Sequence, residues 1–353
     1  MDCGQPRVRV APAIGATSIL IPGVLGKPRP GYHSAMTMPS LPDIRAARAR
    51  IAGHVHVTPM LSSATIADRS GVALLGLKAE TLQKTGSFKV RGALNAVSQL
   101  DDAARARGVV TVSAGNHAQA LAWAARSVGV RCTVVMPAAA SETKAAASAG
   151  YGATVIRHGT GAEAFVKARA LAEEHGFTFI HPFDDARIVA GAASVGTEIM
   201  EQMPDVEVVV VPIGGGGLIS GVTTGIKQTH PHVRIVGVEP VGAAVMRKSL
   251  DEGHAARMET MSTIADGLAA PFAGEIAFAI VRECVDDVVL VTDDEIAAAM
   301  SVLLTRAKIL VEPAGAAATA ALLTRKIPAA LGKRVVSLLS GGNVDLERLK
   351  ALI

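Results

Sequence analysis

The stretch Val206-Glu207-Val208-Val209-Val210-Val211-Pro212-Ile213-Gly214-Gly215-Gly216-Gly217-Leu218 reads as a strand, a glycine turn and the start of a helix in direct succession. Its valine-rich first half suits a strand buried on both faces of a parallel sheet. The four glycines let the backbone curl until several N–H groups converge, and a helix start behind them adds partial positive charge. Such a cup can hold a phosphate. A tight turn at a strand end is the plainer alternative, but a turn does not need four glycines. No Gly-Lys-Ser/Thr follows, and G-x-G-x-x-G at a first βα turn is not matched, so neither nucleotide-binding loop is present.

The same alternation runs through the rest of the chain. Strands are expected at 109–112, 132–136, 154–156 and 177–180, separated by helices at 117–128, 141–149 and 162–174. A helix at 43–51 ends before His56-Val57-Thr58-Pro59. In the second half a helix is expected at 191–202, with strands at 206–212, 235–238 and 335–339. This pattern implies an α/β fold of mostly parallel sheets with crossover helices. With 353 residues, two lobes are expected. The expected division is a tail at 1–38, a large domain from 39–106 plus 185–353, and a small domain at 107–184.

Half of the residues are hydrophobic and only 3% are aromatic; the 35 glycines suit short βα turns. The formal charge is +4, of which Arg7, Arg9, Lys27, Arg29 and Asp2 supply +3 within 1–38. The remainder is close to neutral and carries no basic patch for nucleic acid. Cys3, Cys132 and Cys284 are too scattered for a metal motif and odd in number, which points to free thiols in a reducing compartment. No apolar run reaches the roughly 18 residues of a membrane-spanning helix. The apolar stretch 11–25 faintly resembles a signal peptide. Pro12 and Pro22 interrupt it and no small-residue cleavage site follows, so a disordered tail, or a start at Met36 or Met38, is the expectation.

Three further segments carry chemistry. Thr85-Gly86-Ser87-Phe88-Lys89-Val90-Arg91-Gly92-Ala93 contains a lysine whose amine can form a Schiff base with an aldehyde and also act as a base. A lone lysine is more often a surface residue. Ser113-Ala114-Gly115-Asn116-His117 sits where an expected strand gives way to a helix. Its amides, with the side chains of Ser113 and Asn116, can face an anion such as a carboxylate. By itself, an ordinary cap with Ser113 or Asn116 at the N-cap is the simpler reading. His117 reads as a helix-start or loop histidine rather than a proton carrier. Ser340-Gly341-Gly342-Asn343 follows the strand at 335–339 and by itself could be a capping turn. Taken with the glycine cup, these segments describe a site for pyridoxal 5'-phosphate (PLP).

The motifs at 85–93, 113–120, 214–221, 311–316 and 340–345 occur in the order typical of fold type II PLP enzymes. The chain most resembles their threonine/serine dehydratase and serine racemase branch, from about Pro42 to its end. The resemblance implies a two-lobed, tryptophan synthase β-like fold. It implies that Lys89 carries PLP, that Phe88 packs beside the ring and that Asn116 contacts the ring hydroxyl. Gly214, Gly215, Gly216, Gly217 and Leu218 would cradle the phosphate, and Ser340 would meet the pyridine nitrogen. Ser113, Gly115, Asn116 and His117 would lie along the substrate carboxylate. A hydroxyl cannot keep the pyridine nitrogen protonated as a carboxylate would, so the ring is a weaker electron sink and loss of a β-leaving group is favoured over transamination.

Within that branch, racemases carry Ser-Ser-Gly-Asn-His, whose second serine supplies a proton opposite the lysine. Here Ala114 stands at that position. His181-Pro182-Phe183-Asp184-Asp185 is likewise dehydratase-like. Glu239 matches the first ligand of the racemases' cation site, but Val245 stands where an aspartate is expected, so no metal is expected. Cysteine synthases carry Lys-Asp-Arg at the cofactor lysine, unlike Lys89-Val90-Arg91. The chain ends about ten residues past the Ser340 motif, so no C-terminal regulatory domain with isoleucine feedback is expected. The implied activity is β-elimination of L-threonine, and of L-serine, by a cytoplasmic homodimer or homotetramer. A serine racemase, a dehydratase of another β-hydroxy amino acid such as 3-hydroxyaspartate, and a non-catalytic PLP- or amino-acid-binding regulator are the alternatives.

Overall fold

The structure, a computed structural model, describes residues 38–353. The tail expected over 1–38 falls outside them except for Met38, as does Cys3.

Ten strands form two sheets. The larger has the order β1-β2-β10-β7-β8-β9, with β1 (Met60–Ser62), β2 (Leu74–Ala79), β7 (Val208–Pro212), β8 (Arg234–Pro240), β9 (Asp287–Val291) and β10 (Arg334–Leu339). Only β1 runs antiparallel, against β2. The last strand, β10, lies between β2 and β7, pairing Val335 with Leu75 on one side and Val208 on the other. The smaller sheet is parallel throughout, in the order β5-β4-β3-β6, from β3 (Val109–Val112), β4 (Cys132–Met136), β5 (Thr154–Arg157) and β6 (Thr178–Phe179).

The valine run holds as a central strand. Val208, Val209, Val210 and Val211 are buried on both faces, flanked by β10 and β8. Their apolar side chains feed two cores, one on either face of the sheet. The helix Pro313–Leu323 covers one core and the helix Gly217–Lys227 the other. A third core, under the helix Asn116–Ser127, joins the smaller sheet to the helix Lys89–Val97.

Several expected boundaries move, among them the strand at 235–238, which lengthens to Arg234–Pro240. The strand expected at 206–212 begins at Val208: the Val206 N–H closes the preceding turn onto the Met203 carbonyl at 3.1 Å, and Glu207 leads into the ladder, donating to the Arg334 carbonyl and accepting from the Arg234 N–H at 2.9 Å. The helix expected at 191–202 starts five residues earlier, as Ala186–Gln202, because the Asp185 side chain accepts from the Arg187 N–H at 2.8 Å and caps it. The helix at 43–51 begins at Leu41, where Ser40 and Asp43 form a reciprocal capping box. No helix among the described residues is long and apolar enough to cross a membrane. Cys132 is buried, with its thiol pushed up to about 12 by desolvation, and Cys284 is half-buried; both are free.

Candidate active site

The carboxyl ends of β3, β4, β7 and β10 open onto one cleft of about 1030 Å³, the position where ligands settle on open α/β sheets. Phe88, Lys89, Ser113, Gly115, Asn116, His117, Gly214, Gly215, Gly216, Gly217, Leu218 and Ser340 all line it. Glu239 is not among the lining residues. Its carboxylate instead accepts from the Met246 and Arg247 N–H groups at 2.7 and 2.8 Å, and burial pushes its pKa up to about 7.

Lys89 opens the helix Lys89–Val97. Its Nζ donates to the Pro182 carbonyl at 2.9 Å and lies 5.1 Å from the centre of the Phe88 ring. Burial lowers its pKa to about 8, against the pull of the Glu312 carboxylate. The amine therefore has a reactive neutral form near physiological pH. The two histidines of the cleft are neutral there. Burial, then Lys89 and His181, hold the His117 imidazole well below its usual range. Burial also takes His181 to about 4, and its Nδ1 accepts from the Asp184 N–H at 2.8 Å.

The glycine cup has the geometry an anion needs. Gly216 sits at φ +96° and ends the turn where the helix Gly217–Lys227 begins. A Cβ on Gly216 would fall 2.4 Å from Ala277 Cβ, and one on Gly215 would fall 2.5 Å from the Phe183 ring. No side chain caps this helix, so its first-turn N–H groups are left for a ligand. The start of the helix Asn116–Ser127 is likewise open. Gly115 is its N-cap and no side chain caps it. The capping alternative for Ser113 and Asn116 thus fails: Ser113 Oγ accepts from the Gly115 N–H at 3.2 Å, and Asn116 turns to Glu312 at 2.6 Å. Nor does Ser340-Gly341-Gly342-Asn343 cap a helix. Gly341 bridges to Ser87, and the following helix takes Asp345 as its N-cap.

A phosphorylated aromatic aldehyde fits this donor set. The cup supplies N–H groups for its phosphate and Lys89 an amine for its carbonyl. The buried Ser340 hydroxyl on the cleft wall makes only a long 3.4 Å contact with the Ala314 carbonyl. Sequence reading of single residues missed Glu312, which burial raises to about 7 while the Asn116 hydrogen bond opposes. It also missed an aromatic wall in which Phe183 packs 4.6 Å from His181 and 5.3 Å from Phe272. Only the motif at 311–316 carried a signal for the first, and nothing local marks Phe272.

Comparison with known proteins agrees with this chemistry. The chain is 43% identical over 311 residues to an L-threonine ammonia-lyase of Geobacter sulfurreducens, covering 88% of this chain and 77% of the relative. It is 41% identical to an L-threo-3-hydroxyaspartate ammonia-lyase of Saccharomyces cerevisiae, covering 90% and 97%. Among solved structures, serine racemase from Dictyostelium discoideum superposes with a TM-score of 0.82 at 41% identity, covering 88% of this chain and all of that one. The sequence pattern of one family, described as "Pyridoxal-phosphate dependent enzyme", extends over residues 51–341, from the first helix through the glycine cup to the turn after β10, and the chain belongs to that family.

Proposed function

We propose that this protein is an ammonia-lyase that converts L-threonine to 2-oxobutanoate and ammonia, and L-serine to pyruvate and ammonia. The observation that carries the reading is the pairing of Lys89, a cleft amine with a pKa of about 8, with Ala114, a wall residue that has no proton to give. PLP supplies the electron sink that makes the substrate Cα proton removable. Lys89 Nζ takes that proton and returns one to the departing β-hydroxyl. The open helix start after Gly115, with Ser113, holds the substrate carboxylate. The glycine cup anchors the cofactor phosphate, and Phe183 and Phe272 keep water from the reacting carbon. With only one proton carrier at Cα, elimination is favoured over inversion. The large domain is taken as 39–106 plus 185–353 and the small one as 107–184, with the cleft between them. The same reading makes the protein a cytoplasmic homodimer or homotetramer, for which the support is the family alone.

Steady-state rates on L-threonine, L-serine and L-threo-3-hydroxyaspartate, with 2-oxo acid and D-serine measured, test the proposal. The expected result is the highest kcat/KM on threonine, with ammonia released in equal amount. A tenfold preference for 3-hydroxyaspartate would instead assign the yeast relative's substrate, and absence of any 2-oxo acid would reject the lyase. The racemase neighbour motivates a second measurement. Ala114→Ser should produce D-serine from L-serine where the unaltered chain makes little; no D-serine from the variant would mean that the face opposite Lys89 is not set by residue 114.

A further inference from the structure

We infer that Asn343 is a positioning residue which, from the Thr85 carbonyl on one side and with Glu312 on the other, fixes the Asn116 side chain so that it offers an N–H to the ring oxygen of the cofactor. The inference deepens the proposed function and rests on the contact with the ring hydroxyl that the family resemblance implies for Asn116.

The argument starts at Thr85, which lies at φ 57° and ψ 17°, a left-handed conformation unfavourable for a β-branched residue. From there its carbonyl accepts from Asn343 Nδ2 at 2.8 Å. A carbonyl oxygen can only accept, so the amide group of Asn343 has one permitted orientation. The same Nδ2 donates its second hydrogen to Asn116 Oδ1 at 2.8 Å. The Asn116 amide is thereby oriented in turn, with its NH₂ on the far side, where Nδ2 donates to Glu312 Oε1 at 2.6 Å. Glu312 is held in place by its own N–H, which donates to the Gly341 carbonyl at 3.1 Å. Reversing Asn116 would set its oxygen against the Glu312 carboxyl and its NH₂ against that of Asn343. Both hydrogens of Asn343 are used, whereas Asn116 keeps one unspent at the wall of the cleft it shares with Lys89 and Ser340. A fixed N–H there favours the ionised form of an oxygen placed against it.

The test uses the unaltered protein, Asn343→Asp, Asn343→Ala, Asn116→Ala, and each Asn343 variant combined with Asn116→Ala. Two quantities are read: PLP affinity from titration of the cofactor-free proteins, and the pH midpoint of the visible absorbance of the loaded ones. Neither needs an amino-acid substrate, so a wrong substrate assignment leaves both readouts intact. An aspartate at 343 can only accept when ionised, so it turns Asn116 round. PLP should then bind about tenfold more weakly and the midpoint should rise by about one pH unit. Asn343→Ala releases the amide without reversing it and should shift both quantities in the same direction by less. In the Asn116→Ala background neither substitution should add to the effect. The inference is overturned if both Asn343 variants stay within twofold of the unaltered affinity with an unmoved midpoint. It is equally overturned if Asn343→Asp acts as strongly without Asn116 as with it, since that would be a through-space charge effect.

Discussion

Lys89→Ala is expected to leave a folded protein that lacks the visible absorbance of covalently held cofactor and turns over threonine at least about 10³-fold more slowly. The size of the effect follows from two tasks resting on one nitrogen. Lys89 Nζ both anchors the carbonyl of PLP and moves the Cα proton, and the neutral histidines of the cleft are poor replacements. His181 titrates at about 4 and the His117 imidazole well below its ordinary range. A pH measurement gives the same assignment a second check. Burial lowers the amine from 10.5 to about 8, so about one molecule in ten holds it neutral at pH 7, against about one in three thousand for an unshifted lysine. Capture of added PLP by the cofactor-free protein should therefore quicken about tenfold per pH unit below 8 and level off above it. A variant with kcat within tenfold of the unaltered chain, or capture that keeps accelerating to pH 10, would remove Lys89 from its proposed role.

The second large effect concerns stability. Arg91, one half-turn past Lys89 on the same helix, is fully buried. Its guanidinium donates to Glu80 twice at 2.8 Å, to Glu198 at 2.6 and 2.8 Å, and to Ser194 Oγ at 3.1 Å. Lys78, also fully buried, donates to Glu198 at 2.6 Å and to the Thr58 carbonyl at 2.8 Å. Two cations and two carboxylates thus balance inside the protein. Burial alone would raise the Glu80 carboxyl, but Arg91 holds it below its ordinary value, and burial lowers the Lys78 amine. Arg91→Met leaves two buried carboxylates facing one buried lysine. The expected cost is about 3–5 kcal/mol in denaturant unfolding, with weakened PLP retention because the Lys89 helix loses its anchor. Adding Glu80→Leu to Arg91→Met restores the charge balance around Lys78 and Glu198, so the double variant should recover part of the loss. If the double variant were less stable than the single, packing rather than charge balance would account for the effect.

What the sequence reveals here depends on distance along the chain. The glycine cup and the turns at Ser113 and Ser340 are each a few consecutive residues at a strand end, the Lys89 segment is a few at a helix start, and all of them reach the cleft. Strand β7 is legible because its valines are buried on both faces. Strand β2, Leu74-Leu75-Gly76-Leu77-Lys78-Ala79, is not, since it lacks β-branched residues and contains a buried lysine whose ion-pair partner, Glu198, lies 120 positions away. Edge strand β9 is only partly buried and follows helix-like sequence. Glu312 meets Asn116 across 196 positions and Asn343 meets Thr85 across 258. Partnerships of that kind leave no local pattern, because each partner's environment is made by a segment elsewhere in the chain.

The place of β10 bears on how the molecule comes into being. Translation delivers β1 and β2 first and β7, β8 and β9 much later, yet the two groups share no ladder until β10 slots between them. As the nascent chain leaves the ribosome, the larger sheet therefore waits as two separate fragments with open edges, a state prone to mispairing. The smaller sheet needs nothing beyond Phe179 and can form early. Ser340, Asn343 and the carbonyl of Gly341 arrive with that final strand. Assembly of the cofactor site therefore waits for β10, and the closing of the sheet and the completion of the site are one step.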